Sequence, residues 1–491
     1  MKRVLIVIYC TVLLNLASAK SIFAGCATCP LSSNKEKQVA DDSRRMALQN
    51  LQRSMDMIDL TIGHFFDSAT FEMRRFYNPF TQIKSEERAS VWMYTSAIEA
   101  VNTVLAGLKS ARQTGRDGFY DNHFERYVKL LDDLYANAEY YLGTFELVSF
   151  TQTKKWSVYA VNRSHLKGQA DVSGILNVYD DQMWLIRELL DSYKLTENTD
   201  YLEKAEYLTA YVLDGWDVTR NESGKENGGI PWGPGYATKH ACSNGPLISP
   251  LVWLHELYKD KPDRIERRSV DENDRKTRRS QQVEKRQYYL DYARAIYDWQ
   301  QSKLLNADGV YADMMGGCIP NCDIQYEEVR GVQYKANTPL SQAVGKAYTY
   351  NSGTMLSAAM DLYGATREEN YAADVRKLAK SSFGQFASLG KDIPEYYSFG
   401  TEGFENWFNG ILIRSYYEAI SLDPQIGVYL TAFQRNLDYG FEHFNHEGFL
   451  PTNLLRGWTA EIGKRNVEGM FMFSYASQYA ILGKHQLESN S

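Results

Sequence analysis

The run Tyr179-Asp180-Asp181-Gln182-Met183-Trp184 sets two carboxylates side by side where a helical pattern begins. Aspartate at a helix start has an ordinary explanation, since its side chain caps free N–H groups and its charge suits the positive end of the helix dipole. The pair also has a chemical reading. Neighbouring side chains at a helix start splay apart, so their carboxyl carbons reach roughly 5 to 6 Å, near the spacing at which two carboxyls cleave a glycosidic bond with retention. Two such groups cannot titrate alike. One stays ionised as a nucleophile, and its charge, together with burial, raises the other so that it can donate a proton.

Connections elsewhere carry residue types suited to a sugar. The stretch 226–247 is rich in Gly, Pro and Asn and holds Trp232, Tyr236, Lys239, His240 and Asn244. Asp313 follows a turn, Tyr350 and Asn351 sit on an apolar helix, and the run 400–414 supplies Trp407 and Arg414. Around Asp180 and Asp181, the candidate substrate contacts are therefore Tyr179, Trp232, Tyr236, Asn244, Asp313, Tyr350, Asn351 and Trp407. Singly, each is explained as well by turn chemistry or by a satisfied core polar group. No cluster of His, Cys and acids shows metal-ligand spacing, so neither a metal nor a cofactor is expected.

These residues need a scaffold that brings distant loops to one place. Apolar residues recur at helical spacing, as Val91, Tyr94, Ile98, Val101, Leu105 and Leu108 do. Twelve such segments fall near 40–64, 87–110, 122–146, 179–194, 199–215, 247–258, 284–303, 340–362, 367–386, 403–420, 424–440 and 465–482. Some are apolar nearly all round and others carry a charged face, which is the alternation a ring of helical hairpins requires. The expected fold is all-α, an (α/α)6 barrel of six hairpins over 40–485. No fixed repeat supports a solenoid instead. Residues 20–39 read as a linker, and the charged stretch 261–286, without apolar anchors, as a solvated mobile insertion.

The balance of 54 basic against 61 acidic residues leaves no cationic field for nucleic acid. Aromatics make up 13% of the chain, with 35 Tyr and 9 Trp, flat faces with polar tips that suit sugar rings or a tyrosine-rich core. Residues 1–19 have two basic residues, an apolar run and Ala17-Ser18-Ala19, the pattern of an export signal cleaved after Ala19. A competing reading takes residues 22–26 as a lipid-attachment box, which would anchor the protein to a membrane through Cys26. Export permits disulfides, and Cys318 and Cys322 are spaced to staple a loop.

Taken in order, "YDDQMW", "GGIPWGP", "ATKHACSNGPL", "YTYNSGTML" and "WFNGILIR" resemble glycoside hydrolase family 76, the endo-α-1,6-mannanases and their fungal transglycosylase relatives. The resemblance runs from about residue 85 to 480. It implies an (α/α)6 barrel, a retaining mechanism, Asp180 as nucleophile, Asp181 as acid/base, and α-1,6-linked mannan as substrate. A monomer is expected, apart from the resemblance. Asn409 stands where the family's Phe-Lys-Gly loop has Lys, which bears on a substrate contact rather than on the pair. Two rivals stand beside this reading. A non-catalytic glycan-binding protein needs aromatic platforms but no paired carboxylates, and a six-hairpin enzyme for acidic sugars needs clustered cations, of which these loops hold Lys239 and Arg414.

Overall fold

The computed structural model describes residues 30–318 and 321–489. The expected export signal and Cys26 lie outside them. Twelve α-helices run through the described residues: α1 (Pro30–Phe65), α2 (Val91–Gln113), α3 (Asp117–Ala138), α4 (Tyr179–Thr196), α5 (Thr199–Asp214), α6 (Gly245–Leu257), α7 (Lys285–Leu304), α8 (Thr349–Thr366), α9 (Glu369–Phe386), α10 (Glu405–Ala419), α11 (Gly427–Phe444) and α12 (Gly469–Glu488).

Even-numbered helices are hidden on nearly every side, as in α2, where Thr95, Ser96 and Asn102 are buried along with the apolar stripe. Odd-numbered helices bury one stripe only; α3 hides Phe124, Tyr127, Leu131 and Leu134 and leaves its charged remainder wet. A helix with one wet face must stand outside, and one without any must stand inside. The even helices accordingly pack as a closed ring, α2 to α4, α6, α8, α10, α12 and back to α2, each backed by an outer helix. This is the expected (α/α)6 barrel. Small residues let the inner helices approach, and a Cβ at Gly353 of α8 would lie 3.0 Å from the Ile411 carbonyl of α10. Outer and inner helices alternate along the chain, so all six inner helices run the same way. Their N-terminal ends, with partial positive charge, gather at one end of the barrel.

Several boundaries differ from expectation. Helix α1 begins at Pro30, inside the stretch read as a linker. Helix α3 ends at Ala138, and Leu142–Val148 pairs instead with Thr153–Tyr159 as an antiparallel hairpin. Residues Leu340–Val344, assigned to a helix by their apolar pattern, form a strand beside Met314–Cys318. Short apolar runs fit either period, and pairing with a distant strand decides. The charged insertion is also ordered: Arg264–Val270 and Arg278–Glu284 form a hairpin. Val270 is buried, Arg220 donates to its carbonyl at 2.9 Å, and Arg278 donates to the Phe150 carbonyl at 3.1 Å while pairing with Glu327 at 2.8 Å. Partners far along the chain supply the anchors that its own composition lacks. Cys318 and Cys322 form the expected disulfide, and no described helix is long and apolar enough to cross a membrane.

Candidate active site

At the N-terminal end of the inner ring lies a cleft of about 930 Å³. Its walls come from the starts of inner helices: Trp92 on α2, Asp180, Asp181 and Trp184 on α4, Cys242 just before α6, Tyr348 and Tyr350 at α8, and Phe404, Trp407 and Phe408 at α10. Trp232, Tyr236, His240 and Asp313 join them from connecting segments.

Helix α4 is capped by Val178, which makes no side-chain cap hydrogen bond, so both aspartates sit inside the first turn. Asp180 Oδ1 accepts the backbone N–H of Asp181 at 3.1 Å, and Oδ2 accepts the indole N–H of Trp232 at 3.1 Å. The neighbouring Cys242 thiol also acts to lower the pKa of the Asp180 carboxyl. Asp181, buried at 7% exposure, accepts no hydrogen bond from any described residue. Burial raises both carboxyls above the usual range, but the donors around Asp180 oppose the rise. For Asp181 the charge of Asp180 adds to burial and holds it well above. The surroundings thus favour ionisation of Asp180 over that of Asp181.

The loop carrying Trp232 is fixed from below by two buried lysines. Lys239 pairs with Asp217 at 2.8 Å, and Lys335 donates to the carbonyls of Pro234 at 3.2 Å and Tyr236 at 3.0 Å. Gly229 has φ +76°, and a Cβ there would lie 2.4 Å from the Trp299 ring, so glycine is required. Trp232 stacks on His240 at 4.8 Å, while Tyr236 leans on it at 4.7 Å. Burial lowers His240 to about 4, so this imidazole is neutral at ordinary pH.

Among the expected residues, Asp180, Asp181, Trp232, Tyr236, Asp313, Tyr350 and Trp407 line one cleft. Three expected contacts lie elsewhere. Tyr179 turns into the wall, packing on Tyr211 at 5.1 Å and over Gly215, because successive helical residues point about 100° apart and Asp180 and Asp181 take the cleft side. Asn244 is fully buried and clamps the loop, its amide donating to the carbonyls of Ile230 at 3.0 Å and His240 at 2.8 Å and accepting from Ile230 N–H at 2.8 Å. Asn351 is fully buried in α8, and neither of its amide atoms has a hydrogen-bond partner among the described residues. Asn409 ties α10 to its neighbours, donating to the Gly400 carbonyl at 2.8 Å and accepting from Thr349 at 3.2 Å.

Neither cation expected for an acidic sugar faces the cleft. Lys239 is consumed by Asp217, and Arg414 pairs with Glu99 at 2.6 Å and Glu188 at 3.6 Å beneath the floor. Glu99 in turn accepts the Trp407 indole N–H at 2.9 Å. Lys346 does line the cleft, but it is paired with Glu405 at 2.7 Å. Sequence reasoning missed Trp92, Trp184, Tyr348, Phe404 and Phe408 as walls. Trp184 was legible, since it stands three and four residues after the aspartates and shares their helix face. Trp184 and Trp92 meet Trp407 edge-on at 4.8 and 5.2 Å, which makes an aromatic floor. Among the described residues no group of three His, Cys, Asp or Glu is placed to hold a metal ion.

Comparison with known proteins agrees with this arrangement. In structure the chain resembles the family 76 glycoside hydrolase (mannosidase) of Bacteroides thetaiotaomicron VPI-5482, with TM-score 0.63 and 20% identity over 90% of this chain and 100% of that one. It also resembles the α-1,6-mannanase of Salegentibacter sp. HEL1_6, with TM-score 0.53 and 17% identity over 90% of this chain and 100% of that one. A variant of the latter, described as inactive and carrying asparagine at two consecutive aspartates, is known in complex with α-1,6-mannotriose; it matches with TM-score 0.53 and 17% identity over 89% of this chain and 99% of that one. At such identities the likeness speaks for the fold. No curated protein matches the sequence. The sequence profile of glycosyl hydrolase family 76, however, matches residues 169–260 and 279–436, which hold both aspartates and most of the cleft wall, and the chain belongs to that family.

Proposed function

We propose that the protein is a retaining endo-α-1,6-mannanase with Asp180 as nucleophile and Asp181 as acid/base. The observation that carries this reading is the asymmetry of the pair. Asp180 has donors that favour its charge, whereas Asp181 has burial and a neighbouring carboxylate that favour its proton. In the first step Asp180 attacks the anomeric carbon, the bond to the leaving oxygen breaks, and Asp181 gives that oxygen its proton. In the second, Asp181 takes a proton from water as the water oxygen bonds to the anomeric carbon and the bond to Asp180 breaks. Two inversions leave the configuration retained.

Trp232, Tyr236, Trp92 and Tyr348 offer faces and edges for neutral sugar rings, and the pairing of Lys346 with Glu405 leaves no free lysine or arginine among the described lining residues for a uronic acid. The mannotriose held by the Salegentibacter variant supports the choice of linkage. Transglycosylation shares the covalent intermediate and differs only in whether a sugar hydroxyl replaces water. We further propose that the protein acts as a monomer after export, either freed at Ala19 or anchored at Cys26. The test is incubation with linear α-1,6-mannan, with products separated by chromatography and their first-formed anomer read by NMR. Release of α-configured manno-oligosaccharides supports the proposal; inverted products or an untouched polymer overturn it.

A further inference from the structure

A second cavity, of about 370 Å³, opens between the hairpin of residues 142–159, the end of α5, the start of α7 and the charged insertion. It shares no lining residue with the cleft. Its insertion wall holds Ile265, Glu266 and Arg268, within residues 261–278, the stretch that separates the two parts of the family profile match. One wall of the cavity therefore lies outside the family profile match.

Its lining is mixed in a particular way. Trp156 and Trp216 supply aromatic wall, and Tyr288 and Tyr292, 7% and 5% exposed, stand beside them. Neither tyrosine hydroxyl has a hydrogen-bond partner among the described residues. Neither hydroxyl is a buried unsatisfied atom, so both are open to the cavity, where they can donate to and accept from whatever occupies it. Asp214 Oδ1 is occupied by Ser149 at 2.9 Å and Gln152 at 3.0 Å, but its Oδ2 has only the Trp156 indole at 3.3 Å. The charges cancel: Arg268 pairs with Glu266 at 2.8 Å, and the Lys154 ammonium lies over the Trp156 ring at 3.8 Å, in the same wall as Asp214. Unpaired hydroxyls, a part-free carboxylate oxygen and aromatic walls without net charge are what a neutral, hydroxyl-rich ligand requires.

We propose that this cavity is a second, non-catalytic binding site for one residue of a neutral sugar chain, holding the polymer while the cleft cuts it. The choice of a mannan probe rests on the function proposed above; the site itself does not. In the full chain carrying Asp180→Asn and Asp181→Asn, calorimetric titration with α-1,6-mannotriose is expected to show two sites. Adding Tyr288→Phe and Tyr292→Phe, which remove only the hydroxyls, weakens one of them at least about ten-fold. In the enzyme with both aspartates intact, the same tyrosine changes leave hydrolysis of mannotriose unchanged and slow the cutting of long mannan. Arms with maltotriose and with inorganic phosphate complete the test. A single mannotriose site unaffected by the tyrosine changes overturns the proposal, as does phosphate binding that is lost on Arg268→Gln while no sugar competes. Maltotriose bound in a tyrosine-dependent way, with mannotriose and mannan ignored, upholds the cavity site and overturns the mannanase reading alone. If no sugar binds anywhere, both fall.

Discussion

The indole N–H of Trp232 lies 3.1 Å from Asp180 Oδ2, across a gap of fifty-two residues in sequence, and no such donor among the described residues reaches Asp181. The bond favours the ionised form of Asp180, so its loss in Trp232→Phe raises the Asp180 pKa. Because the first step needs Asp180 ionised, the acidic limb of the kcat/KM profile should move upward by about one pH unit, the worth of one charge-assisted hydrogen bond. The alkaline limb, set by the proton on Asp181, should stay. A profile whose acidic limb does not move would remove Trp232 from this role.

Asp180→Asn and Asp181→Asn should fail differently. Without its nucleophile the enzyme cannot form the glycosyl intermediate, and an activated aryl leaving group does not help. Without its acid the enzyme loses polymer cleavage but still reacts with an aryl mannoside, which departs with little protonation. The burst of aryl alcohol should therefore differ between the variants by on the order of 10² to 10⁴ in rate. The opposite pattern would exchange the two roles.

Glu188, one turn below Trp184 on α4, is raised to about 8 by burial and then by the charge of Glu99. Its folded pKa exceeds the unfolded value, so its contribution to stability is full below about pH 4.5 and is lost as pH rises through about 8. Unfolding free energy should fall by a few kcal/mol across that window from this group, because each pH unit between the unfolded and folded pKa is worth about 1.4 kcal/mol. Glu188→Gln should flatten the curve. Urea denaturation at several pH values reads this directly, and equal slopes in both proteins would refute it.

Lys239 and Asp217 form an ion pair at 2.8 Å with both side chains almost wholly buried. Lys239→Met leaves Asp217 buried without its cation, with only the backbone N–H and hydroxyl of Thr219 as donors, at a cost of about 3 to 5 kcal/mol. Because the pair lies under the Trp232 loop, activity should fall with stability. Adding Asp217→Asn should recover part of both, and a thermal midpoint insensitive to Lys239→Met would contradict the argument.

What the amino-acid sequence by itself determined was the set of local periods. Twelve helices, their alternation between wholly buried and half-wet, and hence the ring of six hairpins could be read from residues such as Val91, Tyr94 and Ile98, because burial of a helix face is written at a spacing of three and four. The adjacency of Asp180 and Asp181 was equally plain, and Trp184 followed from it. The tertiary structure decided everything that depends on a partner far along the chain. Nothing in the local sequence distinguishes Asp180 from Asp181, because the donor that singles out Asp180 is the indole of Trp232, from a distant loop. Tyr179 and Asn244 had the right residue types but face the wall and the loop, since helix phase and buried carbonyls claim them. The hairpin Arg264–Val270 with Arg278–Glu284 carries too little apolar surface to announce itself, and it is held by Arg220 and the Phe150 carbonyl, contacts that exist only once the barrel has closed.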